Sequence, residues 1–183
     1  MKRLVSLFLV ASSLSFAGNF KANSVVLSKD GISGIESSTS FKRLTIKRLF
    51  PKLKVQNSTK SMEGESYKII NVKQKNTTLF SIEASTKDRF KVGEVTIFST
   101  DVDNKFDFKI GDKYKKVLGQ VRRPKCSRGV EEMSASVICT DKSMKNFRFV
   151  FDGKFDGPDD KMPPRMTLLN FKLTKIIWNA DKH

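Results

Sequence analysis

Histidine is almost absent from this 183-residue chain: its one imidazole belongs to His183, the last residue. Nucleophilic catalysis needs a base beside its nucleophile, so a Ser-His-Asp or Cys-His site has nothing to be built from in the interior. Neither S-x-x-K nor G-x-S-x-G occurs, and no P-loop or dinucleotide fingerprint is present. Cysteine is nearly as scarce, with two residues. Two thiols and a terminal histidine do not complete a four-ligand zinc site without carboxylates, and no metal or other cofactor is expected. Acids are in short supply too: 19 Asp and Glu face 35 Lys and Arg, a formal charge of +16. No apolar run reaches the ~20 residues of a spanning helix.

What the chain does have is one domain's worth of residues and 15 phenylalanines, enough for a core. The basic surplus must be solvated and will attract anionic surfaces, without choosing among nucleic acid, acidic polysaccharide and phospholipid.

Residues 1–17 read as a signal peptide rather than as structure. Met1-Lys2-Arg3 is a basic start, an apolar run extends from Leu4 to Phe16, and Ser15-Phe16-Ala17 places small residues at −3 and −1. Cleavage there leaves 18–183 as a single domain, with no transmembrane segment and no cysteine to carry a lipoprotein's thioether lipid. Losing Lys2 and Arg3 takes 35 basic residues to 33 against 19 acidic, or +14, so the excess belongs to the folded domain. The expected location is the periplasm or the medium. In such an oxidising compartment Cys126 and Cys139 are most simply a disulfide, with metal binding the weaker alternative. The bridge would staple a hairpin or a long loop between Val121 and the strand-like stretch 134–140.

Short β-rich runs recur at 24–28, 53–57, 67–73, 79–84, 94–99, 135–140, 147–151 and 171–178. Phe147, Phe149 and Phe151 alternate with Arg148 and Asp152, and Phe80, Ile82 and Ala84 alternate with Ser81 and Glu83. Period-2 patterning of this kind is what a sheet packed on one face demands, so the Phe stripe is read as core. Helical spacing at Ile110, Tyr114, Val117 and Leu118 predicts a helix stopped by Gly119, and helix formers over 40–50 predict another ended by Pro51. The fold class expected is mainly β (α+β): an antiparallel, sandwich-like single domain with two short helices and one disulfide.

Four clusters carry whatever chemistry there is. Asp101, Asp103, Asn104 and Asp107 look like the start of a calcium loop, but Lys105 takes a ligand position and no Gly follows; an acidic turn is the reading. Asp152, Asp156, Asp159 and Asp160 lie among Gly153, Gly157 and Pro158, where carboxylates usually shape turns, though they are the residues a glycan hydrolase would use. Arg122, Arg123, Lys125 and Arg128 crowd around Cys126 and are the leading anion-binding candidates, against the alternative of a solvated face. Lys42, Arg43, Lys47 and Arg48 form a second, less focused basic patch.

Three longer stretches resemble one family. They are Asp30-Gly31-Ile32-Ser33-Gly34-Ile35 before a helix ending at Pro51; Ile110-Gly111-Asp112 leading to the two cysteines; and Phe151-Asp152-Gly153 through Gly157-Pro158-Asp159 and Met162-Pro163 to Lys175-Ile176-Ile177-Trp178. Together they resemble the RpoE-regulated (sigma-E stress) lipoprotein family of small Gram-negative envelope proteins. The resemblance implies a mainly-β exported domain with no established activity. The lipobox cysteine is missing, which favours a soluble form.

The function expected is a non-enzymatic envelope protein binding an anionic component, such as peptidoglycan or lipopolysaccharide, or another exported protein, through its basic surface. A carboxylate-dependent hydrolase of envelope glycan is the alternative, and an inhibitor or stabilising partner of an exported protein a third. Nucleic acid is not an expected partner for an exported chain.

Overall fold

Alternation in the sequence becomes pleat in the computed structural model, which describes residues 25–62, 64–121, 124–130, 133–158 and 161–182. The signal-peptide segment 1–17 lies outside the described residues. A short hairpin, β1 (Val25–Ser28) and β2 (Gly31–Ile32), leads into helix α1 (Arg43–Leu49). A meander of β3 (Lys54–Met62), β4 (Glu65–Gln74), β5 (Thr77–Ala84) and β6 (Val92–Ile97) follows. Next come the three-residue β7 (Val102–Asn104), helix α2 (Tyr114–Gly119), and strands β8 (Pro124–Arg128), β9 (Ser136–Asp141) and β10 (Met144–Asp152). Helix α3 (Arg165–Leu168), β11 (Lys172–Asn179) and a 3-10 turn at Ala180–Lys182 close the chain.

Eight strands form one antiparallel sheet in the order β3-β4-β5-β6-β11-β10-β9-β8, and β2-β1-β7 make a second, smaller sheet. The fold class is therefore mainly β, as expected. One inner face of the large sheet carries Val72, Phe80, Ile82, Val95, Ile97, Trp178, Phe147, Phe149 and Phe151, all buried. Val25, Leu27 and Ile32 of the small sheet, Ile46 of α1 and Val117 of α2 pack into the same core. Gly31 shows how close the two sheets come. Its φ of +142° suits only glycine, and a Cβ there would run into the Ile35 carbonyl and stand 3.4 Å from the Trp178 indole.

Cys126 and Cys139 sit directly opposite each other on β8 and β9, Cα atoms 4.1 Å apart, and are bridged. The staple closes a hairpin, the first of the two arrangements expected. Such a bridge forms and persists outside the reducing cytosol. Among the described residues no helix is long and apolar enough to cross a membrane.

Four local expectations change. The stretch 101–107 is not only a turn: Val102 is buried and Val102–Asn104 pairs parallel to β1. The second expected helix starts at Tyr114 rather than at Ile110, because Gly111 takes a φ of +90° and its N–H, with the Asp112 carbonyl, bonds to Leu173 of β11. Strand β8 falls where no apolar alternation announced one. A third short helix follows Pro163-Pro164, with Pro164 at its N-cap.

Candidate functional site

The sequence places polar residues opposite the core face, and the sheet's strand order brings them together. Asn71, Ser81, Thr96, Ile177 and Arg148 succeed one another in register across β4, β5, β6, β11 and β10. One step along the strands, Ile69, Glu83 and Glu94 are likewise paired across β4, β5 and β6. A cavity of about 470 Å³ opens on this outer face. Its lining combines the apolar Ile69, Ile177 and Phe98 with Ser81, Thr96 and Asn71, and includes Met62 from one sheet edge and Met133 from the loop before β9. Ser81, Thr96 and Ile177 are all buried although they face away from the core.

Four charged side chains organise the cavity. Glu83 and Glu94 stand directly opposite each other on adjacent strands, an arrangement that destabilises a sheet unless it is compensated. Lys60 reaches Glu83 at 3.0 Å from one side, and Arg148 pairs with Glu94 from the other. The Lys60 ammonium also lies 5.5 Å from the Tyr67 ring centroid. Burial raises the Glu94 carboxyl above its ordinary value; Arg148 opposes this and the Glu83 charge adds to it. Partial burial pulls the Lys60 ammonium down, but Tyr67 and Glu83 beside it together hold it above its ordinary value.

The sign of the Glu94 shift sets a pH dependence. In the window between 4.5 and the raised value, the folded chain keeps a proton that the unfolded chain has released. This contribution to stability is therefore full at low pH and is lost as pH rises through the folded value. Carboxyl titration by NMR is expected to place the Glu94 midpoint above 4.5. Arg148→Gln should move it further up and Glu83→Gln should move it down; a midpoint unmoved by either change would sever the proposed coupling.

The residues singled out from sequence are placed differently. Lys125 and Arg128 are both on β8, but three residues apart they fall on opposite sides of the pleat. Lys125 is opposite Thr140 on the outer side, whereas Arg128 lies over the Phe155 ring at 5.6 Å and donates to the Ala135 carbonyl at 3.4 Å. Arg122 and Arg123 lie outside the described residues. Strand β8 is also an edge strand, and Pro124 and Lys125 on such an edge discourage pairing with another chain.

The acidic clusters do not converge among the described residues. Asp152 accepts the Thr174 hydroxyl at 2.7 Å, while the Asp156 side chain is 84% exposed beside Lys154. Asp159 and Asp160 are outside the described residues. In the calcium-loop-like stretch the Asn104 side chain accepts the Phe106 N–H at 2.9 Å, closing a turn. Among the described residues no three His, Cys, Asp or Glu side chains gather where a metal ion could be held.

Comparison with known proteins adds a family and a fold. A family model described as "Protein of unknown function (DUF1131)" matches residues 9–180. The uncharacterized protein YfeY of Escherichia coli (strain K12) is 31% identical over 67 residues, 37% of this chain and 32% of that protein, so the match spans about a third of the relative's length. The crystal structure of the uncharacterized protein yfeY from Escherichia coli superimposes with a TM-score of 0.68 at 19% identity, covering 84% of this chain and 98% of that one. At that identity the likeness speaks for the fold alone.

Proposed function

We propose, for a chain that belongs to the DUF1131 family of proteins of unknown function, that it is an exported, non-catalytic envelope protein that binds an anionic, partly apolar envelope component in the outer-face cavity. Export by the signal peptide at 1–17, periplasmic residence and sigma-E control are parts of the same reading, supported by the disulfide and by the resemblance. The observation that carries the binding site is the cavity itself: about 470 Å³, partly apolar, with Lys60, Arg148 and Lys175 in its lining against Glu83 and Glu94, a surplus of one positive charge. Pockets of this size with a few placed polar groups are the usual form of a ligand site. Charged pairs half-withdrawn from water contribute little to stability on balance, which gives them a place in recognition instead.

The test is calorimetric titration of the full chain with purified lipopolysaccharide and with peptidoglycan fragments at low and high salt. Binding should weaken with salt, and the paired Glu94→Gln/Arg148→Gln variant, which removes both charges at once, should lose at least about tenfold in affinity. Unchanged binding by that variant would sink the cavity reading. If Arg122, Arg123, Lys125 and Arg128 changed to Ser abolish binding instead, the ligand belongs on the β8 edge.

A second reading has one observation behind it. Glu83 and Glu94 are two facing carboxylates in a cavity, one of them biased toward its protonated form, which is the division of labour used in glycan hydrolysis. Release of reducing ends from peptidoglycan that disappears in Glu94→Gln would favour it over binding alone.

A further inference from the structure

The connection between β5 and β6 presents an aromatic side chain to water in a well-determined frame. Phe90 is 77% exposed. Its N–H bonds to the Asp88 carboxylate at 3.0 Å, and the Lys91 N–H bonds to the Asp88 carbonyl at 2.9 Å. The Ser85 hydroxyl, itself buried, accepts the N–H groups of Lys87 and Asp88 at 3.0 and 3.1 Å and donates to the Asp181 carboxylate at 2.6 Å. A loop anchored this thoroughly has not exposed Phe90 through slackness.

The loop is fastened to the start of α1. The Phe41 N–H donates to the Phe90 carbonyl at 2.7 Å, and Ser40 bridges Lys91. Leu44, one helical turn beyond Phe41, is 63% exposed. The chain on either side of these two apolar residues supplies Lys42, Arg43, Arg89 and Lys91, all exposed, and Lys87, also exposed, whose ammonium donates to the Asp181 carbonyl at 3.0 Å. The one acid within 41–44 and 87–91, Asp88, is spent on the loop's own hydrogen bonds and on Lys91 at 3.5 Å.

Exposed aromatic and aliphatic side chains ringed by Lys and Arg match the layered chemistry of an anionic bilayer surface, with headgroup phosphates outside and acyl chains beneath. A protein partner offering both layers would need an acidic rim around an apolar socket, and every anionic bilayer offers that arrangement along its whole surface. We propose that the Phe90 loop and the start of α1 dock on anionic phospholipid, Phe90 and Leu44 entering the headgroup boundary and Lys42, Arg43, Arg89 and Lys91 pairing with phosphates. This docking is independent of the outer-face cavity and stands whether or not that cavity takes a ligand.

The experiment is cosedimentation of the full chain with phosphatidylglycerol-containing vesicles and with phosphatidylcholine vesicles, beside sedimentation velocity of the free protein. The apolar run at 4–16 is common to wild type and variants, so the differences between them read the loop. Wild type should partition at least about tenfold more strongly onto the anionic vesicles and lose this preference at high salt. Phe90→Ser, which keeps every backbone bond of the loop, should lose about tenfold, while Phe90→Leu retains most of the binding. Arg89→Ser/Lys91→Ser should lose more than tenfold, at about fivefold per basic residue facing an anionic surface, and Lys161→Ser should change little. Equal partition onto both vesicles, or Phe90→Ser and Arg89→Ser/Lys91→Ser binding like wild type, would overturn the proposal. So would a concentration-dependent dimer dissolved by Phe90→Ser without vesicle binding, which would assign the face to a second copy of the chain.

Discussion

Phe149→Ala is expected to lower the free energy of unfolding by about 3–5 kcal/mol, the range for truncating a fully buried aromatic residue. Phe149 occupies the middle of β10, with Ile176 of β11 and Cys139 of β9 as its cross-strand neighbours. Its ring meets Phe108 edge-on at 5.3 Å and stacks on Phe147 at 6.3 Å. Both contacts vanish on truncation, each worth about 0.5–1.5 kcal/mol beyond area burial. The rest of the loss is transfer energy and an unfilled cavity in a layer clamped by strands on both sides, where collapse is restricted. Urea unfolding followed by far-UV circular dichroism measures it. A loss below about 1 kcal/mol would mean that the inner face is packed far more loosely than its zero exposure indicates.

The double change Cys126→Ala/Cys139→Ala is expected to cost about 3 kcal/mol, as loop-closure entropy for a crosslink across 13 positions suggests. Alanine is the right probe because Cys139 is wholly buried and a serine hydroxyl there would need a partner. The effect should also be local. Strand β8 pairs with β9 alone, so without the bridge it is an edge of the large sheet held by a single five-residue ladder. Amide exchange should accelerate first over Pro124–Arg128, with β10 and β11 protected until global unfolding. On the inner side α2 helps to hold this edge: the Tyr114 hydroxyl contacts the Cys126 sulfur at 3.4 Å, and its ring packs on Phe151 at 5.0 Å. Uniform loss of protection, with no early phase in β8, would refute the local reading.

The inner face was legible in the sequence because burial on one side of a sheet writes itself as period 2. Phe147, Phe149 and Phe151 declare it without help from any other strand. Strand β8 was not legible, since an edge strand with a cysteine and an arginine on its inner side has no apolar alternation to show. Of the cluster around Cys126, the two described basic residues illustrate a related point: residues an odd number apart along a strand are on opposite faces, so closeness in sequence between Lys125 and Arg128 becomes separation in space.

The outer cavity was half legible. Ser81 and Glu83 could be assigned to the side away from the core, and Glu83 and Glu94 flank one connection in a way that could have suggested their pairing. Arg148 could not be added to them, because that requires β11 to insert between β6 and β10, a pairing set by long-range burial rather than by any local pattern.

Trp178, the chain's single tryptophan, is wholly buried on β11 and has Gly31 of the small sheet against its indole. Nature has thus installed one fluorophore at the seam between the two sheets. Its emission wavelength reports whether the small sheet is seated, while the backbone signal is dominated by the eight-stranded sheet. A red shift that precedes loss of β ellipticity would identify a state in which the small sheet has lifted away and the large one persists, a partial opening that an averaged melting curve would hide.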